Sequence, residues 1–172
     1  MGDIARSANY LTKYDTLGYT FNASFAHSAV HRDVIMQAYD YAEGVTVRNY
    51  LIKVPEGVFP HLVYSVACEE AAQVQFFEGA TVSADGTEII QARLNRNSSR
   101  TIQTGTFHSP TITDDGTELP GGYVPGGNGA SNPGATVALH DDAEWLLKDN
   151  TNYIVRITAS NSNTAVRFEW YE

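Results

Sequence analysis

Histidines and carboxylates are the side chains in this sequence that could hold a metal ion. His27 and His31 are four residues apart, a spacing that puts both on one face of a helix, as in zinc sites. No Glu accompanies them as in a metalloprotease helix, and the alternation around His27 favours a strand. The pairs in His140-Asp141-Asp142 and Asp114-Asp115-Gly116 do not match an EF-hand loop, and Asp-Asp-Gly is typical of a turn. We therefore predict neither a metal site nor a cofactor.

The sequence also lacks the usual patterns for nucleophilic catalysis and phosphate binding. Cys68, the single cysteine, falls on the apolar face of the run 62–68, where a free thiol behaves as a small hydrophobe. There is no G-x-S-x-G elbow and no P-loop, and the glycines from Gly126 onward have no adjacent Lys. We predict that the chain is not an enzyme. An acidic pair such as Asp141 with Glu144 leaves a β-sandwich enzyme as an alternative.

The charge distribution argues against nucleic acid and membrane partners. The formal net charge is −9, and residues 1–60, 61–134 and 135–172 each carry more Asp and Glu than Lys and Arg. Binding to phosphate backbones or anionic lipid needs clustered cations, so we expect neither partner. The local exception is Arg93, Arg96 and Arg100. This cluster is either a docking patch for an acidic protein surface or a polar loop between strands.

The strongest structural pattern lies near the end of the sequence. Tyr153, Val155 and Ile157 alternate with polar residues, and Val166, Phe168 and Trp170 do the same after the polar stretch 159–163. Alternation of period two on both sides of turn-forming residues is typical of an antiparallel hairpin. We therefore predict a C-terminal hairpin whose apolar face lies in the core.

Shorter alternating runs extend this pattern upstream and predict an all-β fold. One run ends at Pro55, another covers 62–68, and Asp85-Gly86 predicts a two-residue hairpin. Val30 to Glu43 fits a helix or a strand, and we find no repeat of fixed period. Short strands separated by turns favour an antiparallel sandwich or barrel. No apolar run resembles a signal peptide or a membrane span, so we expect a soluble protein made in a cytoplasm.

Two regions depart from the strand pattern. Residues 1–20 contain apolar side chains without a clear period, which is typical of an arm that docks on a neighbour or of an edge strand. The stretch Gly116 to Gly134 contains seven of the 14 glycines, so we predict a long Gly/Pro-rich loop over 110–134. We expect the arm and the loop to make intermolecular contacts.

Several segments, taken in order, resemble a family of tailed-bacteriophage head decoration proteins. The resemblance covers about residues 45–172. Its segments are Phe76-Phe77-Glu78-Gly79, the Asp85-Gly86 turn, Leu94-Asn95-Arg96-Asn97-Ser98, the run from Leu146 to Thr158, and the ending Val166-Arg167-Phe168-Glu169-Trp170-Tyr171-Glu172.

The resemblance implies a jelly-roll-like antiparallel β-sandwich over 45–172. Residues 1–44 lie outside the resemblance, and we predict that they form an N-terminal arm and first strands or a short helix. The resemblance also implies a dimer or trimer that binds the major capsid protein on the outside of the virion and is made in the bacterial host cytoplasm. It implies no active site. The candidate capsid or subunit contacts are Tyr10, Leu11, Tyr14, Leu17, Arg93, Arg96, Arg100 and Tyr123.

The alternative function is a carbohydrate- or receptor-binding β-sandwich module of a phage fibre. Such a module uses exposed aromatic rings close to carboxylates or amides, and Tyr123, Trp145 or Tyr171 could serve. Fold alone does not discriminate between these functions.

Overall fold

A computed structural model describes residues 35–125, 135–138 and 144–172 of the chain. Every regular element in these residues is a β-strand, which confirms the all-β prediction. The predictions at His27, His31 and the residues of the N-terminal arm lie outside the described residues. The strands are β1 (Ile35–Val54), β2 (His61–Cys68), β3 (Ala72–Glu78), β4 (Thr81–Ala84), β5 (Thr87–Glu88), β6 (Gln91–Arg93), β7 (Gly105–His108), β8 (Thr111–Asp114), β9 (Thr117–Val124), β10 (Ala135–Ala138), β11 (Trp145–Leu146) and β12 (Thr151–Tyr171).

Two long strands, β1 and β12, pair antiparallel along almost their whole length and form the centre of the fold. Residues 35–42 of β1 pair with 164–171 of β12, and residues 47–54 pair with 151–158. The predicted C-terminal hairpin is therefore wrong, because the two halves of β12 pair with β1 and not with each other. The alternating pattern correctly identified the buried residues but not their partners.

The polar stretch 159–163 bends β12 instead of reversing it. Asn161 has a positive φ of 54°, and β1 bends beside it at Gly44, where φ is 59°. The backbone N–H of Gly44 donates to Asn163 Oδ1 at 3.2 Å, so the two bends are joined. Asn and Gly adopt this left-handed backbone most readily, which explains why turn-forming residues occur inside a continuous strand.

A partly buried polar cluster joins the two arms of bent β1. Arg48 Nη2 donates to Asp40 Oδ2 at 2.8 Å, and the Tyr50 hydroxyl donates to the same oxygen at 3.0 Å. Burial and the neighbouring Asp40 carboxylate raise the pKa of Tyr50, so its hydroxyl remains a donor. The cluster therefore stabilises the bend through charge-assisted hydrogen bonds.

The bend divides one continuous sheet into two layers that enclose the main core. The paired strands β1 and β12 form the central ribbon. Its first arms, residues 35–42 and 164–171, pair with β2 and β6 in the first layer. Its second arms, residues 47–54 and 151–158, pair with β3 and β7 in the second layer. Aromatic side chains meet between the layers, with ring centroids of Tyr64 and Phe76 at 5.5 Å and of Tyr50 and Phe168 at 5.6 Å. Each buried side chain of this size stabilises the fold by roughly 1.5–3 kcal/mol. The result is an antiparallel β-sandwich, for which the jelly-roll connectivity stays a prediction.

The structure resolves the helix-or-strand alternative at residues 30–43 for the part that it describes. Strand β1 begins at Ile35, and its residues Met36 and Ala38 lie in the main core. Residues 35–44 thus belong to the first strand of the sandwich, within the range 1–44 for which the sequence predicts an N-terminal arm and first strands or a short helix.

Residues 111–124, which the sequence analysis assigned to a long loop, form β8 and β9. Pro120 is tolerated because the pairing of β9 with β3 shifts register beside it. At Gly121 a Cβ atom would lie 2.3 Å from the Val74 carbonyl oxygen, so glycine permits this close approach. The rest of the predicted loop, 126–134, lies outside the described residues.

Strands β4 and β8 pair with each other and form a ribbon outside the second layer, here called the outer ribbon. A small core contains residues from the ribbon and from the sheet beneath it. Its members are Leu51, Phe77, Ala80 and Ile154, with Val82, Phe107 and Ile112 packed against them. The predicted Asp85-Gly86 hairpin is also wrong, because β5 leaves the ribbon and pairs with β7.

The small core lies on an internal pseudo-two-fold axis. Residues 77–89 align with 107–119 at an offset of 30, and residues 49–53 (NYLIK) align with 152–156 (NYIVR) at an offset of 103. The pairing repeats accordingly: Leu51 pairs with Phe107, and Ile154 pairs with Phe77. The axis passes close to the Leu51–Ile154 pair of the central ribbon.

Hydrogen bonds and ion pairs follow the same symmetry. Lys53 Nζ lies 2.6 Å from Asp85 Oδ2, and the equivalent Arg156 binds Asp115 through both carboxylate oxygens. The Ser83 hydroxyl donates to the Thr111 carbonyl, and the equivalent Thr113 hydroxyl donates to the carbonyl of Thr81. The two halves therefore share side-chain chemistry as well as backbone course.

We expect Gly86→Ala and Gly116→Ala to destabilise the protein by similar amounts, about 3 kcal/mol or more. Both glycines have a positive φ, and a Cβ at either would lie 2.3 Å from a backbone carbonyl oxygen of the other half. Urea unfolding measures the difference in free energy of unfolding between each variant and the wild type. Gly57→Ala is the control, because Gly57 has a φ of 77° but nothing within 4 Å of the added Cβ. Gly57→Ala should lower the free energy of unfolding only by the cost of a positive φ in a residue that has a Cβ, about 1–2 kcal/mol. An equal cost at all three positions would contradict the close approach.

Candidate functional site

The predicted arginine cluster lies at the edge of the first layer. Arg93 is the last residue of β6, and Arg96 and Arg100 lie in the loop that follows it. Arg93 is partly buried, and its Nη1 donates to the Ser98 carbonyl at 2.9 Å, so this residue holds the loop together. Arg96 and Arg100 are exposed. The structure therefore separates the three arginines into one structural residue and two that are accessible to a partner.

Two exposed apolar side chains accompany these arginines in the chain. Ile90 immediately precedes β6 and is 89% exposed, and Leu94 immediately follows β6 and is 50% exposed. An apolar anchor close to a guanidinium is a frequent composition of protein–protein contacts. We call Ile90, Leu94, Arg96 and Arg100 the arginine edge. Ile90 was not among the predicted contacts, because its position after Asp85-Gly86 predicted a hairpin strand.

Tyr123 lies on the opposite side of the fold. It is 62% exposed on β9, which pairs with β3, whereas β6 pairs with β1. In the pairing order, β1, β12 and β3 lie between the two sites. The structure thus does not bring Tyr123 together with the arginines. Tyr10, Leu11, Tyr14 and Leu17, the other predicted contacts, lie outside the described residues.

The outer face of the first layer carries a set of side chains that the sequence analysis did not identify. Tyr39 and Tyr41 of β1 are 59% and 50% exposed. These two tyrosines and Gln37 of β1 are each followed across the sheet by a residue of β12 and a residue of β2. These rows are Tyr41, Ala165 and Ala67; Tyr39, Arg167 and Ser65; and Gln37, Glu169 and Val63. We call these nine residues the tyrosine face. Alternation with buried Met36 and Ala38 was the signal that could have revealed it.

Polar side chains of the tyrosine face are hydrogen-bonded to one another. Gln37 Nε2 donates to Glu169 Oε1 at 3.0 Å, and Arg167 forms an ion pair with the same oxygen. Next to the face, the His61 and Tyr171 rings stack with centroids 4.3 Å apart, and the Tyr171 hydroxyl donates to Glu144 Oε2 at 2.8 Å. Burial and the Glu144 carboxylate raise the pKa of Tyr171, so its hydroxyl stays protonated.

The remaining candidate residues that the structure describes have structural roles, whereas His140, Asp141 and Asp142 lie outside the described residues. Cys68 is buried in the main core, and burial raises the pKa of its thiol to about 11. Asp114 Oδ1 accepts the backbone N–H of Gly116 at 2.8 Å, which confirms the turn interpretation. Within the described residues no group of three or more His, Cys, Asp and Glu side chains is arranged to hold a metal ion. The same residues contain no helix of the length and apolarity needed to cross a membrane.

Comparisons with protein-family models, with curated proteins and with solved structures each gave no match to this chain.

We expect the ion pair between Asp115 and Arg156 to stabilise the protein at neutral pH and to lose this effect in acid. Hydrogen bonding to Arg156 lowers the pKa of Asp115 below its ordinary value of 3.8. The stabilisation is therefore fully present above pH 3.8 and is lost as the pH falls through the pKa of the folded state. Urea unfolding at several pH values should show that the difference in stability between wild type and Asp115→Asn is largest near neutrality and shrinks below pH 3.8.

The exposed Glu56 supplies the control for loss of a charge, because Glu56→Gln changes the net charge equally. A difference for Asp115→Asn that stays constant down to strongly acidic pH would show that the ion pair does not stabilise the fold.

Proposed function

We propose that this chain is a structural, non-enzymatic virion protein that binds the outer surface of a bacteriophage head and cements neighbouring capsomers. The observation that carries the proposal is the ordered resemblance over 45–172, which includes the ending Phe168-Glu169-Trp170-Tyr171-Glu172. Phe168 and Trp170 lie in the main core, and Glu172 accepts hydrogen bonds from the backbone N–H groups of Gln103 and Thr104. The resembling residues thus belong to the framework of the sandwich.

The separation of the exposed contact residues supports a bridging role. A cement protein must bind at least two neighbours, so it needs contact groups on different sides of a rigid body. The arginine edge adjoins β6 and Tyr123 lies on β9. The strands β1, β12 and β3 lie between β6 and β9, so the two contacts are on opposite sides of the fold. Arg and Tyr are both enriched among residues that dominate binding energy in protein interfaces.

The charge of the chain is compatible with this role. An acidic protein does not compete for the packaged genome, and its charge keeps the free protein soluble until it binds. Many copies on one lattice, or a dimer or trimer that spans several subunits, would gain from multivalent attachment even when each contact is weak. The major capsid protein is the proposed partner on the lattice.

The direct experiment is cosedimentation of the purified protein with heads that were assembled without it. We expect saturable binding at a fixed copy number per head, and weakening of about tenfold for the double variant Arg96→Ala/Arg100→Ala. The matched control is Lys148→Ala/Arg167→Ala, which removes two exposed cations elsewhere and should bind normally.

The two failures are distinguishable. Absence of binding by the wild-type protein would refute head decoration. Binding that the two double variants weaken equally would retain head decoration but exclude the arginine edge as a contact.

A second experiment tests the N-terminal arm. We expect deletion of residues 2–15, which removes Tyr10, Leu11 and Tyr14, to lower head occupancy and the heat resistance of decorated heads, because it removes apolar contact area. Occupancy and heat resistance that both remain unchanged would show that the arm has no attachment role.

A further inference from the structure

The outer ribbon and the residues that follow each of its strands repeat the internal symmetry on the outside of the protein. We call residues 81–88 and 111–118 the ribbon surface. Val82 pairs with Ile112, so the pseudo-two-fold axis passes through this pair as well as through the central ribbon beneath it. The two segments have the same order of exposed and partly buried positions. The protein therefore presents one arrangement of exposed residues twice, once on each side of the axis.

The two halves of the ribbon surface also share exposed side chains. At four pairs of equivalent positions the exposed residues are the same or closely similar: Thr81 and Thr111, Ser83 and Thr113, Thr87 and Thr117, and Glu88 and Glu118. Threonine is favoured in strands but glutamate is not, so strand propensity does not explain why both halves carry Glu88 and Glu118. A surface role that is common to both halves explains it.

A recess lies on each side of the outer ribbon, at equivalent positions. One recess has a volume of about 630 Å³ and the other of about 560 Å³. They share four pairs of equivalent lining residues: Lys53 and Arg156, Ala80 and Pro110, Asp85 and Asp115, and Asn152 and Asn49. Each recess is large enough to receive a side chain from a partner, and such filled recesses are typical of the residues that dominate binding. A partner with the same symmetry can therefore place the same side chain in both.

The charge of the ribbon surface selects a basic partner. The surface contains five carboxylates and no Lys or Arg. Asp85 and Asp115 are ion-paired to Lys53 and Arg156. The other three carboxylates are exposed and form no ion pair with another described residue: Glu88, Asp114 and Glu118. Where they accept hydrogen bonds, from the Gln75 amide and the Gly116 N–H, the donor is uncharged. A second ribbon surface, nucleic acid and anionic lipid would all be repelled, whereas Lys and Arg side chains would be attracted.

We infer that the ribbon surface binds two identical basic surfaces at once, one with each half, on two partner subunits that are related by a two-fold axis. Two-fold pairs are the commonest symmetric arrangement of identical subunits. Each half offers little contact area by itself, but engaging both halves on one rigid pair of subunits raises the effective affinity. This assignment rests on the proposed function, under which the two subunits are neighbouring copies of the major capsid protein.

The experiment reverses one charge in each half and measures cosedimentation with heads that were assembled without the protein. Glu88→Lys and Glu118→Lys change equivalent residues, which pair with the equivalent Phe107 and Phe77. We expect the two variants to weaken binding by the same factor, about tenfold, and the double variant by about a hundredfold, because separate sites act additively. Glu70→Lys is the matched control. It makes the same charge change at an exposed residue beyond the opposite end of β3 and should bind as the wild type does. Electron cryomicroscopy of decorated heads should show the ribbon surface on a two-fold axis between two capsid subunits.

Normal binding of both variants, or weakening by only one of them, would overturn the assignment of the ribbon surface and leave head decoration intact. Equal weakening by Glu70→Lys would overturn it as well, because the effect would then come from the net charge. Absence of binding by the wild-type protein would refute head decoration and this surface together. Dimerisation of the free protein that the double variant abolishes, seen by analytical ultracentrifugation, would assign the ribbon surface to a second copy of the chain. Unchanged urea unfolding of the variants shows that loss of binding does not reflect loss of the fold.

Discussion

The bend that β1 and β12 make together is the constraint on which the rest of the structure depends. Because the two strands pair on both sides of the bend, one ribbon contributes the central strands of both layers. Gly44 and Asn161 supply the backbone geometry, and the Asp40–Arg48–Tyr50 cluster joins the arms of β1. A straight ribbon would leave the apolar residues of both arms on one open sheet. The bend makes them face each other and creates the core.

The sequence predicted the class of fold, the inward face of β12 and that of the second half of β1, because these follow from alternation of apolar residues. It left residues 30–43 open between a helix and a strand. Trp170, Phe168 and Tyr153 are buried as expected. It did not predict the partner of β12, because the stretch 159–163 has the composition of a reversing turn and local composition does not distinguish a bend from a reversal. The same limit applies to Asp85-Gly86, where the pairing partner comes from a distant segment.

The candidate surfaces were predictable only in part. A cluster of arginines is visible in any sequence, so Arg96 and Arg100 of the arginine edge were predicted as contacts. Neither the exposed Ile90 nor the hydrogen bond that occupies Arg93 was predicted. Alternation places Tyr39 and Tyr41 on one face of β1, but only the order of the strands in the sheet shows which residues of β12 and β2 lie beside them. Such juxtapositions depend on long-range register and have no local signal.

The internal symmetry does not give a repeat of fixed period in the sequence, because the order of its segments differs between the halves. In one half the β1 segment precedes the 77–89 segment, and in the other the β12 segment follows 107–119, so no single period exists. Two copies of a short unit thus meet as they would in a homodimer, but within one chain. A homodimer can change an interface residue only in both subunits at once. A single chain is free of that restriction, as the equivalent positions Glu78 and His108 illustrate: Glu78 binds Lys148 and Tyr153, while His108 contacts Ser109. Each half can therefore acquire its own partner while the shared small core preserves the fold.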